Sequence, residues 1–134
     1  MPNRVQWEPG YSVGHALIDA QHQALLKQCN LLADFCQGAP DAQAEQQFDA
    51  AFESLKALAR EHFAAEASVL AACHYAELED HITECGEFEY LAEDIVTTDN
   101  FSRLELQRFL ALWWLGHIAA AKEQRTCLTG SAAA

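Results

Sequence analysis

Basic residues are scarce in this sequence: eight Lys and Arg stand against twenty Asp and Glu, a formal net charge of −12. Nucleic acid and anionic membrane surfaces are bound through concentrated Lys/Arg patches, whereas the cations here are scattered from Arg4 to Arg125. Neither partner is expected. Glycine and proline are also few, six and three respectively, which leaves long uninterrupted segments of the kind a helical bundle needs. No run approaches the roughly 18 apolar residues of a membrane span, and the start MPNRVQWEPG lacks the apolar core of a signal peptide. The five cysteines, Cys29, Cys36, Cys73, Cys85 and Cys127, are odd in number and contain no C-x-x-C pair. A disulfide framework, a zinc knuckle and a c-type haem attachment are therefore not indicated. The expected location is a reducing cytoplasm, with Cys29, Cys36, Cys73 and Cys127 as packing or surface residues.

What is present is apolar residue, 51% of a 134-residue chain, enough for one domain with its own core. Residues 1–16 read as an irregular arm, and the bundle as about 17–128. The first helix is predicted from about Ile18 to Gln37, stopped by Gly38, with Pro40 opening a second helix that reaches about Ala72. A third runs from about Tyr75 to Val96, and Thr97-Thr98-Asp99-Asn100 breaks it. The fourth starts near Ser102, where Ser102 and Glu105 have capping-box spacing, and continues to about Cys127. Four such helices joined by short loops predict an all-α, up-down-up-down antiparallel four-helix bundle.

The inward stripes carry more than the helix count. They read Ile18, His22, Leu25, Cys29, Leu32, Cys36 in the first helix and Phe48, Phe52, Leu55, Ala59, His62, Glu66, Val69 in the second. The third gives Leu78, His81, Cys85, Phe88, and the fourth Leu106, Leu110, Trp113, His117, Ala120. These follow the helical period of a core face, yet each contains His, Glu or Cys where an apolar residue packs better. An unpartnered buried polar group costs on the order of 1–3 kcal/mol. Four helices each presenting such groups toward one axis point to a shared partner, and imidazole with carboxylate is the ligand set of a non-haem transition metal. His62 and Glu66 lie four apart on one helical face, as do His81 and Cys85, so each pair can reach one centre. His15 and His74 fall outside the stripes and read as arm and loop residues. Asp19 and the run from Glu45 to Glu53 read as a solvated acidic face.

Taken together, Trp7, Tyr11-Ser12-Val13-Gly14, Ile18-Asp19, Gln21-His22, His62-Phe63, Glu66, Tyr75, His81, Phe88, Phe109-Leu110, Trp113 and His117-Ile118 resemble the bacterial haemerythrins over about residues 7–122. The resemblance implies a two-iron centre held by five histidines, one Glu and one Asp, both carboxylates bridging, with dioxygen bound to the iron that has two histidines. Matched position by position, His22 and His62 fall to that iron, Glu66 to the bridging glutamate, and His81 and His117 to the other iron.

Two positions depart from the family pattern. Cys85 stands where the third histidine of the second iron belongs, and Lys122 where the bridging aspartate belongs. A unit charge at 4 Å is worth roughly 4 kcal/mol at an effective dielectric of 20, and a divalent ion doubles that. A protonated Lys122 therefore has three options: to turn away, to lose its proton, or to take the second metal's place beside Glu66 and a Cys85 thiolate. The third is the expected arrangement, with at most one firmly held metal. The implied function is a non-haem iron module, with one or two ions, in dioxygen or iron binding or sensing; dioxygen or another small ligand is the expected partner, and a protein partner is left open. No catalytic turnover is indicated, and a single domain leaves no attached output domain. The alternative is a metal-free bundle, either an interaction module or a redox sensor in which Lys122 activates Cys85.

Overall fold

The computed structural model describes residues 1–39 and 41–130; Pro40 and the tail from Ser131 lie outside the described residues. Four helices form the bundle: α1 (Ala16–Asp34), α2 (Ala42–Ala72), α3 (Leu78–Val96) and α4 (Arg103–Ala120). A 3₁₀ turn, Ala121–Gln124, and a short α5 (Arg125–Thr129) follow. α1 packs on α2 and α4, and α3 on α2 and α4, which closes the four long helices into the expected bundle. Among the described residues no helix is long and apolar enough to cross a membrane.

Local chemistry explains the boundaries. Asp41 caps α2 by accepting from the Gln43 and Ala44 amides at 2.7 and 3.4 Å, and Ser102 caps α4 by accepting from Glu105 N at 3.3 Å. α1 ends at Asp34, earlier than expected, and Gly38 takes its positive φ of 81° in the turn beyond. α3 begins three residues later than expected, because α2 closes in a Schellman turn. His74 occupies the left-handed position (φ 59°), its N–H donates to Ala71 O at 3.1 Å, and Tyr75 N–H donates to Leu70 O at 2.9 Å. α4 is shorter than expected, giving way to the 3₁₀ turn at Ala121.

The main core is built on Trp114, Phe48, Phe88 and leucines of α1, α2 and α4, and a smaller cluster of Val13, Ile18 and Ala121 stands apart from it. Trp114, not Trp113, is the fully buried tryptophan of α4. The arm is fastened by side-chain amides: Gln107 pairs with both backbone groups of Asn3 at 2.8 and 2.6 Å, and Asn30 does the same for Val5 at 2.9 and 2.8 Å. Asp19 is not a solvated acid. Its carboxylate accepts from the Ser12 hydroxyl and the Val13 amide, which seats the end of the arm on α1.

Cys73 and Cys127 also depart from expectation, for they form a disulfide that joins the end of α2 to α5 across 54 residues. A pair so far apart leaves no spacing signature. Stable disulfides belong to oxidising surroundings, so the bond sits against the expectation of a permanently reduced chain.

Candidate metal centre

His22 lies in the second turn of α1, His62 and Glu66 in the last turns of α2, His81 in the first turn of α3 and His117 in the last turn of α4. In an antiparallel bundle those places share one end, so the four helices bring all five side chains to a single level. His22, His62 and Glu66 are fully buried, and the side chains of His81 and His117 are 6% and 5% exposed.

Glu66 is the hub. Its Oε2 lies 3.2 Å from His62 Nε2 and 3.5 Å from His22 Nε2, while its Oε1 faces His117 Nε2 at 3.3 Å and His81 Nε2 closer still. Despite these approaches, neither oxygen of Glu66 has a hydrogen bond of good geometry, and His117 Nε2 is likewise buried without one. Burial alone would raise the Glu66 carboxyl, but the surrounding His117, His22, His62 and His81 hold it well below the usual carboxylate range. It is a buried anion.

The arrangement of ring protons shows what is missing. His62 Nδ1 is 2.8 Å from Gln21 Oε1, an acceptor, and burial keeps the His62 imidazole below its ordinary pKa against the pull of Glu66. The neutral ring therefore carries its proton on Nδ1 and turns a lone pair on Nε2 toward the carboxylate. His22 Nε2 lies 3.1 Å from that same His62 Nε2. A proton on His22 Nε2 can be given to the His62 nitrogen or to Glu66, not to both, and lone pairs are left facing one another. A cation between them satisfies every group, so the residues present fit a metal. His22, His62, Glu66 and His117 have ligand atoms within 4.8 Å of one another, and so do Glu66, His81 and Cys85.

His117 stands between the two ligand sets: its Nε2 faces the same Glu66 Oε1 as His81, as the family pattern assigns, and it also lies within 4.8 Å of the ligand atoms of His22 and His62. Two features differ from what the sequence suggested. Lys122 does not replace a metal. The 3₁₀ turn carries it outward, where it is exposed and enters no ion pair among the described residues. Cys85 is buried, with Sγ 3.6 Å from His81 Nε2, but its thiol is pushed up to about 12 by burial, Glu66, Glu84 and Glu89. Without Lys122 beside it, nothing in the metal-free protein favours a Cys85 thiolate, and the reading of a lysine-activated sensor thiol is not supported.

Sequence inspection missed the groups that orient the imidazoles. Gln21 holds His62, and buried Gln124, two residues past Lys122, lies 3.5 Å from His81 Nδ1 with its Oε1 otherwise unpartnered. In the metal-free protein it is the amide nitrogen that faces the ring, and the amide oxygen is left free. Neither glutamine has a sequence signal beyond proximity to a candidate ligand. Trp113 stacks on His117, rings 5.1 Å apart and 10° from parallel, and Phe63 and Trp114 complete the wall.

Residues 13–124 match the family described as Hemerythrin HHE cation binding domain. No curated protein and no solved structure matches the chain.

Proposed function

The chain belongs to the hemerythrin HHE cation binding domain family, and from that premise we propose that it is a non-haem iron protein whose principal site is His22, His62, His117 and Glu66, acting in dioxygen or iron binding. The observation that carries the reading is the meeting of two buried imidazole Nε2 atoms at 3.1 Å beside a fully buried carboxylate. Such a knot of lone pairs calls for a cation, and the imidazole and carboxylate set suits iron while leaving positions open. When bound, iron supplies redox chemistry and an open coordination position for a small ligand such as dioxygen.

The chain's own groups have definable parts in this. Glu66 provides the anionic charge. Gln21 fixes the tautomer of His62 so that Nε2 faces inward. Trp113, Trp114 and Phe63 screen the imidazoles from bulk water, which strengthens electrostatic attraction inside. His81 and Cys85 form with Glu66 a second, softer set, and neither set has the second carboxylate of the family pattern.

Metal analysis of anaerobically purified protein should give about one iron per chain, as expected for one complete set of hard ligands. His62→Ala should lower that content more than His81→Ala. Equal losses would move the site toward Cys85, and absence of iron from iron-replete preparations would overturn the reading.

A further inference from the structure

Beside the centre lies a cavity of about 110 Å³ in which His81, His117 and Gln124 form the floor and Glu77, Asp80, Glu84 and Glu123 stand at the exposed edge. We propose that this cavity is the port through which divalent cations are admitted to the centre; the inference rests on the metal reading above.

Its charge is all of one sign. No Lys or Arg lines it, and Lys122, although next to Glu123 in sequence, does not face it. Some surface acids are tied into pairs, Glu45 and Asp49 with Arg103, Glu53 and Glu93 with Lys56, Glu89 with Arg60, while others of the described residues, Glu79, Asp94 and Asp99 among them, stand apart from any cation. Among the described residues Glu77, Asp80, Glu84 and Glu123 enter no ion pair, and what sets them apart from the other unpaired acids is that they gather at one mouth. Burial first, and then Glu77, Glu123, Glu84 and Glu66, raise the Tyr75 hydroxyl on the cavity wall.

Acids at a surface would mean little without acceptors deeper down. Here two groups that line the cavity are about 95% buried and lack partners: His117 Nε2 and Gln124 Oε1. A hydrated divalent ion gives up its water reluctantly and needs a replacement oxygen or nitrogen at each step. Carboxylates at the edge, an amide oxygen behind them and an imidazole nitrogen at the floor form such a sequence, and His117 belongs to the principal ligand set. The neighbouring depression that also touches His117 is walled by Leu112, Trp113 and Gly116. It provides no acceptor between its acidic edge and the imidazole.

The test uses the metal-free full chain mixed with Co2+ in a stopped-flow instrument. Loading is read as quenching of tryptophan fluorescence, because Trp113 stacks on His117. The port variant is Asp80→Asn/Glu84→Gln/Glu123→Gln. The control, Asp94→Asn/Asp99→Asn/Glu105→Gln, removes the same charge at the other end of the bundle, in the last turn of α3, the α3–α4 connection and the first turn of α4; Asp94 is about 15 Å up the helix from Glu84 at 1.5 Å per residue. At low salt the port variant should load about tenfold more slowly than the unmodified chain, a modest instance of electrostatic focusing. The control should stay within about twofold. Raising NaCl to about 0.5 M should bring the unmodified chain close to the port variant, through screening. Equilibrium Co2+ content should be the same in all three. Equal loading of the port variant and the unmodified chain, equal slowing by the control, or a salt-independent rate in the unmodified chain each overturns the port while leaving the metal site standing. Failure of the unmodified chain to bind Co2+ overturns the metal reading, and the port with it.

Discussion

Reducing the Cys73–Cys127 bond should destabilise the bundle by an amount that can be worked out beforehand. The bond closes a loop of 54 residues. The chain-entropy relation for a loop of that size gives about 14 cal/mol/K, or about 4 kcal/mol at 25 °C. A chain of 134 residues has an unfolding entropy of about 0.28 kcal/mol/K near its midpoint, so the same loss corresponds to a Tm lower by about 14 °C. The native side of the balance should change little. Once reduced, the Cys127 thiol has Cys73 O at 3.2 Å and the Cys73 thiol has Leu70 O at 3.5 Å, so no buried polar group is orphaned. Residual structure in the reduced unfolded chain lowers the figure, and a drop of about 8–14 °C is the expected range. Thermal unfolding followed by far-ultraviolet circular dichroism, on oxidised and fully reduced protein with all five thiols counted, measures it. A shift under about 2 °C with five reactive thiols would refute the reasoning, because the loop would then confer no entropic constraint.

Two further outcomes concern the centre. Gln21→Leu removes the acceptor of the His62 Nδ1 proton and should weaken metal binding by about 10–100-fold with helicity intact; competition against a chelator measures this, and an unchanged affinity would deny Gln21 its orienting part. Stability of the metal-free protein should fall with acid, since both shifted groups act in one direction. His62, held below its ordinary value in the native state, is protonated first in the unfolded chain as pH drops below about 6.5. Glu66, held low in the native state, contributes stability above about pH 4.3 that is lost as pH falls below it. Urea midpoints should therefore decline from about pH 7.5 to about pH 4.5, and a rise over that interval would contradict the assignment of His62 as a neutral ring.

Helical periodicity made the bundle and the convergence of His22, His62, Glu66, His81 and His117 legible, because burying one face of a long helix imposes a period that no local detail can hide. The details that escaped belong to longer-range physics. His74 adopts a left-handed backbone that glycine usually supplies, so the end of α2 carries no glycine mark. Cys73 and Cys127 meet only because α5 folds back on α2. Gln21, Gln124 and Asp19 look like ordinary surface residues until the partner they face is known. Lys122 matches the family's bridging position by its spacing from His117, a match that places it at the centre only on an unbroken helix, and α4 ends at Ala120.

That break has a physical origin outside the run Ala119-Ala120-Ala121, whose residues are strong helix formers. The segment beyond it is pinned from two sides: Arg125 donates to Ser12 O and Gly10 O at 3.0 and 3.1 Å, and Cys127 is bonded to Cys73. A 3₁₀ turn advances about 2.0 Å and 120° per residue where an α-helix advances about 1.5 Å and 100°. The difference is about 1 Å and about 40° by Lys122, and about 2 Å and about 80° by Gln124. Residues after Ala120 thus leave the register that would direct position 122 at the centre. Lys122 goes to solvent, which removes the repulsion an ammonium would bring to a metal site, and Gln124 turns inward against His81. The cationic replacement is therefore tolerated through backbone geometry. The cost falls on the His81 and Cys85 side, where a neutral amide now stands and no second carboxylate bridges. Both ligand groups that share Glu66 lose the second carboxylate, but the one containing His22, His62 and His117 keeps three imidazoles with it and no thiol.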